Sequence, residues 1–123
     1  MPSDALAALS DIERHIDFAS QFVEGLDYER FRDDTCTVFA VTRCLEIISE
    51  ASRRLPDSSK ALYPWIPWKE IAGAGNVYRH DYEDVAAKMV WDTVPLALPP
   101  LQVVVAQEIE RLCSGPDEAG PRP

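Results

Sequence analysis

The chain has 123 residues, 46% of them hydrophobic and 27% charged, with a formal net charge of −9. That length suits a single domain with a core large enough to stand without disulfide or metal staples. The charge argues against nonspecific affinity for nucleic acid, and the hydropathy pattern is read as containing no segment that crosses a bilayer. The N-terminal stretch MPSDALAAL lacks a basic region followed by an apolar one, so the expected location is the cytoplasm.

From about Ser3 to Glu24 the residues Leu6, Leu9, Ile12, Ile16, Ala19 and Val23 recur at intervals of three and four. This spacing predicts an amphipathic helix, with Ser3 as N-cap and Gly25 as stop. His15 lies beside the apolar stripe and reads as a packed or half-exposed side chain. A second helix is expected from about Asp34 to Leu55, with Val38, Val41, Leu45, Ile48 and Leu55 on one face. Phe39, Cys44 and Ile47 widen that face, which suggests burial on two sides, one of them against a partner chain.

The stretch PDSSKALYPWIPW reads as a linker whose Trp65 and Trp68 insert into the core. A helix is expected from Lys69 to about Tyr78, and another from Val85 with Asp84 as its cap. Pro95, Pro99 and Pro100 are expected to interrupt what would otherwise be one long helix. Residues 1–113 form the predicted domain, and 114–123, SGPDEAGPRP, a disordered polar tail. No stretch pairs strand alternation with turn chemistry, so the fold class is all-α, a bundle of four or five helices.

Cys36, Cys44 and Cys113 are odd in number, form no C-x-x-C pair and lie among apolar neighbours. They read as buried free thiols rather than a disulfide framework or a zinc site. Charge is spread unevenly. From Arg43 to Arg79 six basic residues meet four acidic ones, a balance of +2 that leaves −11 for the rest. An anionic ligand would seek this middle segment, where Arg43, Arg53 and Arg54 are candidate phosphate contacts.

The segment ends in GAGNVYRHDYEDV, residues 73–85, which places Asn76, Arg79, His80 and Tyr82 within seven positions. Histidine accepts and donates protons near neutral pH. Cleavage of RNA by its own 2′-hydroxyl needs one group to take that proton, another to protonate the leaving oxygen, and a cation for the charged transition state. One histidine per chain supplies one such group, and two copies meeting in a symmetric homodimer would supply both. The competing interpretation is a histidine that only caps or packs at a helix end. A metal site built on the His80-Asp81 pair would need further ligands, and no second ligand cluster accompanies it. No cofactor or metal is called for.

The order of these elements, with RCLEIISEASRRL followed by PWKEIAGAGNVYRHDYEDVAAKMVWDTV and a last helix, resembles the HepT-like branch of the HEPN families from about Leu6 to Leu112. The resemblance implies an up-and-down helical bundle that dimerises with its motifs facing one another. It also implies a metal-independent endoribonuclease, the toxin of a toxin–antitoxin pair whose antitoxin is a minimal nucleotidyltransferase. In the family motif an arginine and a polar residue precede a histidine, any residue and a tyrosine. Asn76 matches the polar position, His80 the histidine and Tyr82 the tyrosine, which in the family is adenylylated by the partner.

The arginine is missing, since Gly73, Ala74 and Gly75 occupy the positions four to six residues before His80. Arg79 is the nearest cation and the expected phosphate contact, but adjacent helix residues point in different directions, so it does not stand where the arginine stood. A catalytically inactive helical module that binds a nucleotidyltransferase is the alternative that Gly75 favours.

Overall fold

The computed structural model describes the backbone of residues 4–80 and 83–119, and the side chains of 4–75 and 87–114. Among these residues there are six helices: α1 (Asp4–Val23), α2 (Tyr28–Asp33), α3 (Thr35–Arg53), α4 (Asp57–Ala61), α5 (Trp68–His80) and α6 (Glu83–Ala119). The all-α expectation holds, with two short helices, α2 and α4, beyond the four principal ones.

On α1 the residues Ala8, Leu9, Ile12, Ile16 and Ala19 are buried, as their spacing requires. The helix ends where Gly25 takes φ +80° and Leu26 N–H bonds to the Val23 carbonyl at 3.0 Å. Ser3, the expected cap, lies outside the described residues. A side chain at Gly25 would meet no neighbour, so its cost is purely conformational. Gly25→Ala is expected to lower stability by about 1–2 kcal/mol, read as a shift of the urea midpoint at constant slope. His15 is half-buried, its Nδ1 2.7 Å from the Asp11 carbonyl and its ring edge-on to Phe18.

Asp27 opens α2 by accepting from Arg30 N–H at 2.9 Å. Asp34 closes α2 through its own N–H and opens α3, its carboxylate accepting from Thr37 N–H at 3.1 Å and Thr37 hydroxyl at 2.8 Å. Those two bonds hold the Asp34 carboxyl below the usual carboxylate range, the hydroxyl having the larger effect. On α3 the side chains of Val41, Cys44, Leu45, Ile48, Ser49, Ala51 and Ser52 are buried within this chain alone, because α1 and α5 flank the helix.

Three expectations are corrected between α3 and α6. The proline-rich stretch contains a helical turn, α4, begun after Pro56. Trp65 is exposed, because Tyr63 and Ile66 take the inward positions on either side of it. Trp68 is half-buried and donates its indole N–H to the carbonyls of Lys60 at 3.2 Å and Tyr63 at 3.1 Å. Cys36 and Cys113 are exposed and only Cys44 is buried, its thiol pushed up by desolvation and so poorly reactive.

The prolines do not interrupt α6. Pro95, Pro99 and Pro100 all lie on its exposed side, where water can bond the carbonyls their missing N–H groups leave open. The opposite side, Ala87, Val90, Val94, Leu98, Leu101, Val104 and Val105, is buried without a break. Burying its six larger side chains is worth about 1.5–3 kcal/mol each, against about 3 kcal/mol for each proline. Packing wins, and the helix runs through.

The span Ala87–Ser114 reaches a mean hydropathy of 1.4, long and apolar enough by length and composition to cross a membrane. This departs from the hydropathy expectation. Core-lining residues such as Val90, Val94, Leu98, Leu101, Val104 and Val105 supply part of that hydropathy, and exposed apolar residues such as Leu96 and Val103 supply the rest.

Candidate functional site where α3 meets α5

The C-terminal half of α3 is tied to α5 by polar contacts at one point. Ser49, buried on the inner face of α3, donates its hydroxyl to the Ala72 carbonyl at 3.0 Å and accepts Gly75 N–H at 3.2 Å. One turn on, Arg53 donates Nε–H to the same carbonyl at 3.0 Å. Two α3 side chains thus converge on a single α5 carbonyl. A Cβ at Gly75 would stand 3.1 Å from Ser49 Oγ and 3.7 Å from Arg53 Nη2, so the close approach depends on glycine.

Beside this contact is a polar recess of about 240 Å³ lined by Arg43, Glu46, Ile47, Glu50, Arg53 and Gly75. Arg43 is well exposed and loosely paired with Glu46 at 3.4 Å. Arg54 points elsewhere. It bonds Asp11 of α1 at 2.9 Å and Glu50 at 3.3 Å, and the Asp11 carboxylate above all raises its guanidinium further from deprotonation. Of the three candidate arginines, Arg43 and Arg53 therefore share the recess, whereas Arg54 braces α1 against α3.

The α5 backbone continues as helix through His80. The side chains of Asn76, Arg79 and His80, and all of Tyr82, lie outside the described residues. Among the described residues no three His, Cys, Asp or Glu side chains gather as a metal cluster would.

A second polar centre lies in the core. Glu108 on α6 is 1% exposed and accepts from Ser59 hydroxyl at 2.7 Å, Tyr63 hydroxyl at 2.8 Å, and Arg111 at 2.8 and 2.6 Å. The Arg111 fork outweighs the burial penalty and holds the Glu108 carboxyl down to about 2. Burial, then the facing carboxylate, pushes the Tyr63 phenol up. Both carboxylate oxygens are engaged, so this centre joins α4 and the segment after it to α6. Sequence reasoning missed it, although a glutamate seven, four and three residues after Leu101, Val104 and Val105, and so on their helix face, is the kind of signal that marks a buried charge.

Among the described residues the bundle has no strand, and its polar junction sits on the helix leading to His80, an arrangement consistent with a small HEPN-like helical protein. The Ribonuclease HepT-like family matches residues 12–108. The chain belongs to that family. It is 39% identical over 94 residues to a Thermococcus cleftensis protein named as a probable ribonuclease HepT, covering 76% of this chain and 86% of the relative. A Methanocaldococcus jannaschii protein provisionally named as an RNase is 34% identical over 115 residues, covering 94% and 96%. A second from that organism, similarly named, is 35% identical over 99 residues, covering 80% and 82%. No solved structure shows a significant match.

Proposed function

We propose that this chain is a metal-independent endoribonuclease, the toxin of a toxin–antitoxin pair, acting in the cytoplasm as a homodimer. The observation that carries this reading is the family match across residues 12–108, a span that includes Asn76, His80 and Tyr82 in the family's order. In the reaction the RNA 2′-hydroxyl attacks the adjacent phosphorus and the bond to the 5′-oxygen breaks. His80 of one protomer takes the 2′-hydroxyl proton and the same residue of the partner returns a proton to the leaving oxygen. The products end in a 2′,3′-cyclic phosphate and a 5′-hydroxyl, with no water consumed.

Arg79 contacts phosphate and Asn76 orients the substrate. Tyr82 is the regulatory phenol, adenylylated by a minimal nucleotidyltransferase antitoxin, which places a negative charge where RNA would bind. Gly75 at the motif-arginine position favours a second reading, an inactive helical module that only pairs with the nucleotidyltransferase.

Purified protein in excess chelator, incubated with RNA, separates the two. The expected result is cleavage leaving 2′,3′-cyclic phosphate ends, slowed about 10²–10⁴-fold in His80→Ala. Intact RNA with a folded dimer would replace the enzyme with the binding module.

A further inference from the structure

We infer that Arg53, carried on α3, is a further guanidinium that contacts the RNA phosphodiester, beside the Arg79 contact proposed above, and takes the role vacated at Gly75. The inference rests on the ribonuclease reading and adds to it a residue outside the motif. Three observations support it.

The first is the state of the guanidinium. Arginine has five N–H donors in a rigid fork. The Ala72 carbonyl takes the Nε–H at 3.0 Å, which fixes the plane of the group and leaves the four Nη–H donors. Arg53 is in no ion pair among the described residues, whereas the two carboxylates of the recess have arginines of their own, Glu46 with Arg43 and Glu50 with Arg54. With those pairs cancelled, one positive charge remains, and it is on Arg53. A bidentate fork held from behind by a neutral carbonyl is suited to a phosphate group.

The second is Gly75. A side chain at that position would press on Ser49 Oγ at 3.1 Å and come within 3.7 Å of Arg53 Nη2. Ser49 is buried and bonded to Ala72, so it yields little room. A Cβ at position 75 is thus tight against Ser49 and in ordinary contact with Arg53, so a side chain there would start beside the guanidinium that Arg53 already places. The loss of the motif cation and the presence of Arg53 describe a single arrangement, with the charge delivered from the neighbouring helix.

The third is position. The recess of about 240 Å³ opens between α3 and α5, far larger than the ~30 Å³ of a water. Arg43 is on its rim, and His80 follows Gly75 by five residues of the same helix, about 7.5 Å of axial rise. That separation is within the reach of one nucleotide.

The test compares wild type with Arg53→Gln, Arg53→Lys and, as control, Arg14→Gln on exposed α1. Glutamine keeps a donor for the Ala72 carbonyl while removing the charge. Two readouts are needed: single-turnover cleavage of a mixed-sequence oligoribonucleotide, and binding of its uncleavable 2′-O-methyl counterpart as a function of salt. Arg53→Gln is expected to slow cleavage about a hundredfold and to reduce the slope of log affinity against log salt by about one. Arg53→Lys should recover the slope and only part of the rate, because it restores a point charge without the fork.

Wild-type cleavage with Arg53→Gln unchanged in both readouts would overturn the inference and leave the ribonuclease reading standing. Slower cleavage with an unchanged slope would also overturn it, reducing Arg53 to a strut between helices. If wild type does not cleave but Arg53→Gln still loses the slope, the enzyme reading fails and the phosphate contact holds. Absent cleavage and an unchanged slope would remove both.

Discussion

A Glu108→Ala variant is expected to lose about 3 kcal/mol or more of folding stability at neutral pH. Removal of the carboxylate leaves the buried hydroxyl of Ser59 and the phenol of Tyr63 without their acceptor, at about 1–3 kcal/mol for each unsatisfied group. Arg111 suffers less, since its side chain is 52% exposed and can turn to water. Glu108→Gln should retain part of the loss, because its amide N–H₂ faces donors wherever it points. The same network sets the acid limit of the fold.

Glu108 ionises near 2 in the folded chain, against an ordinary value of 4.5. The unfolded chain thus binds the extra proton between those values, and stability rises with pH across that window. The contribution is fully present above about pH 5 and is lost as pH falls toward 2, amounting to about 3 kcal/mol. Urea unfolding at pH 7, 4 and 2.5 should show this dependence in wild type and a much flatter one in Glu108→Gln. Equal slopes in both proteins would mean that other carboxylates govern acid unfolding.

Helix periodicity made α1 and α3 legible, down to the residues that are buried, because both are long and amphipathic. Gly25 as the stop of α1 was equally plain. Helix α2 could not be seen this way, since six residues contain less than two turns and only Phe31 is fully buried. Its two signals, Asp27 and Asp34, are capping residues that read equally well as loop. The prolines of α6 were misjudged because local backbone chemistry was weighed without the buried face on the other side of the helix. Trp65 and Cys113 were misjudged because apolar neighbours in sequence do not fix which residue turns inward.

At the candidate site the separation is between order and contact. The spacing of Asn76, His80 and Tyr82 is a property of the chain and was read directly. The contact of Arg53 with Ala72 joins residues 19 apart, and nothing in composition chooses Arg53 over its neighbour Arg54. That choice follows from the rotation of α3, which turns Arg54 toward Asp11 on α1 and Arg53 toward α5.

Phe31→Ala is expected to destabilise the protein by about 3–5 kcal/mol, the range for truncating a buried phenylalanine. The side chain is fully buried, and its ring lies 5.1 Å from that of Trp91 on α6. Tyr28 meets the same indole at 6.2 Å. A helix of six residues has no stability of its own in water, so these aromatic contacts hold α2 in place. Phe31→Leu should cost less, since it keeps most of the buried area and loses the ring pairing.

The way in which the variant unfolds carries further information. If α2 is part of the cooperative unit, the urea midpoint falls and the slope is unchanged. If α2 detaches alone, the slope falls as well, because less surface remains to be exposed. Tryptophan fluorescence then changes before the far-ultraviolet helix signal. A loss below 1 kcal/mol would mean that the bundle closes over the vacated space, and that α2 is a covering turn rather than a clasp between α3 and α6.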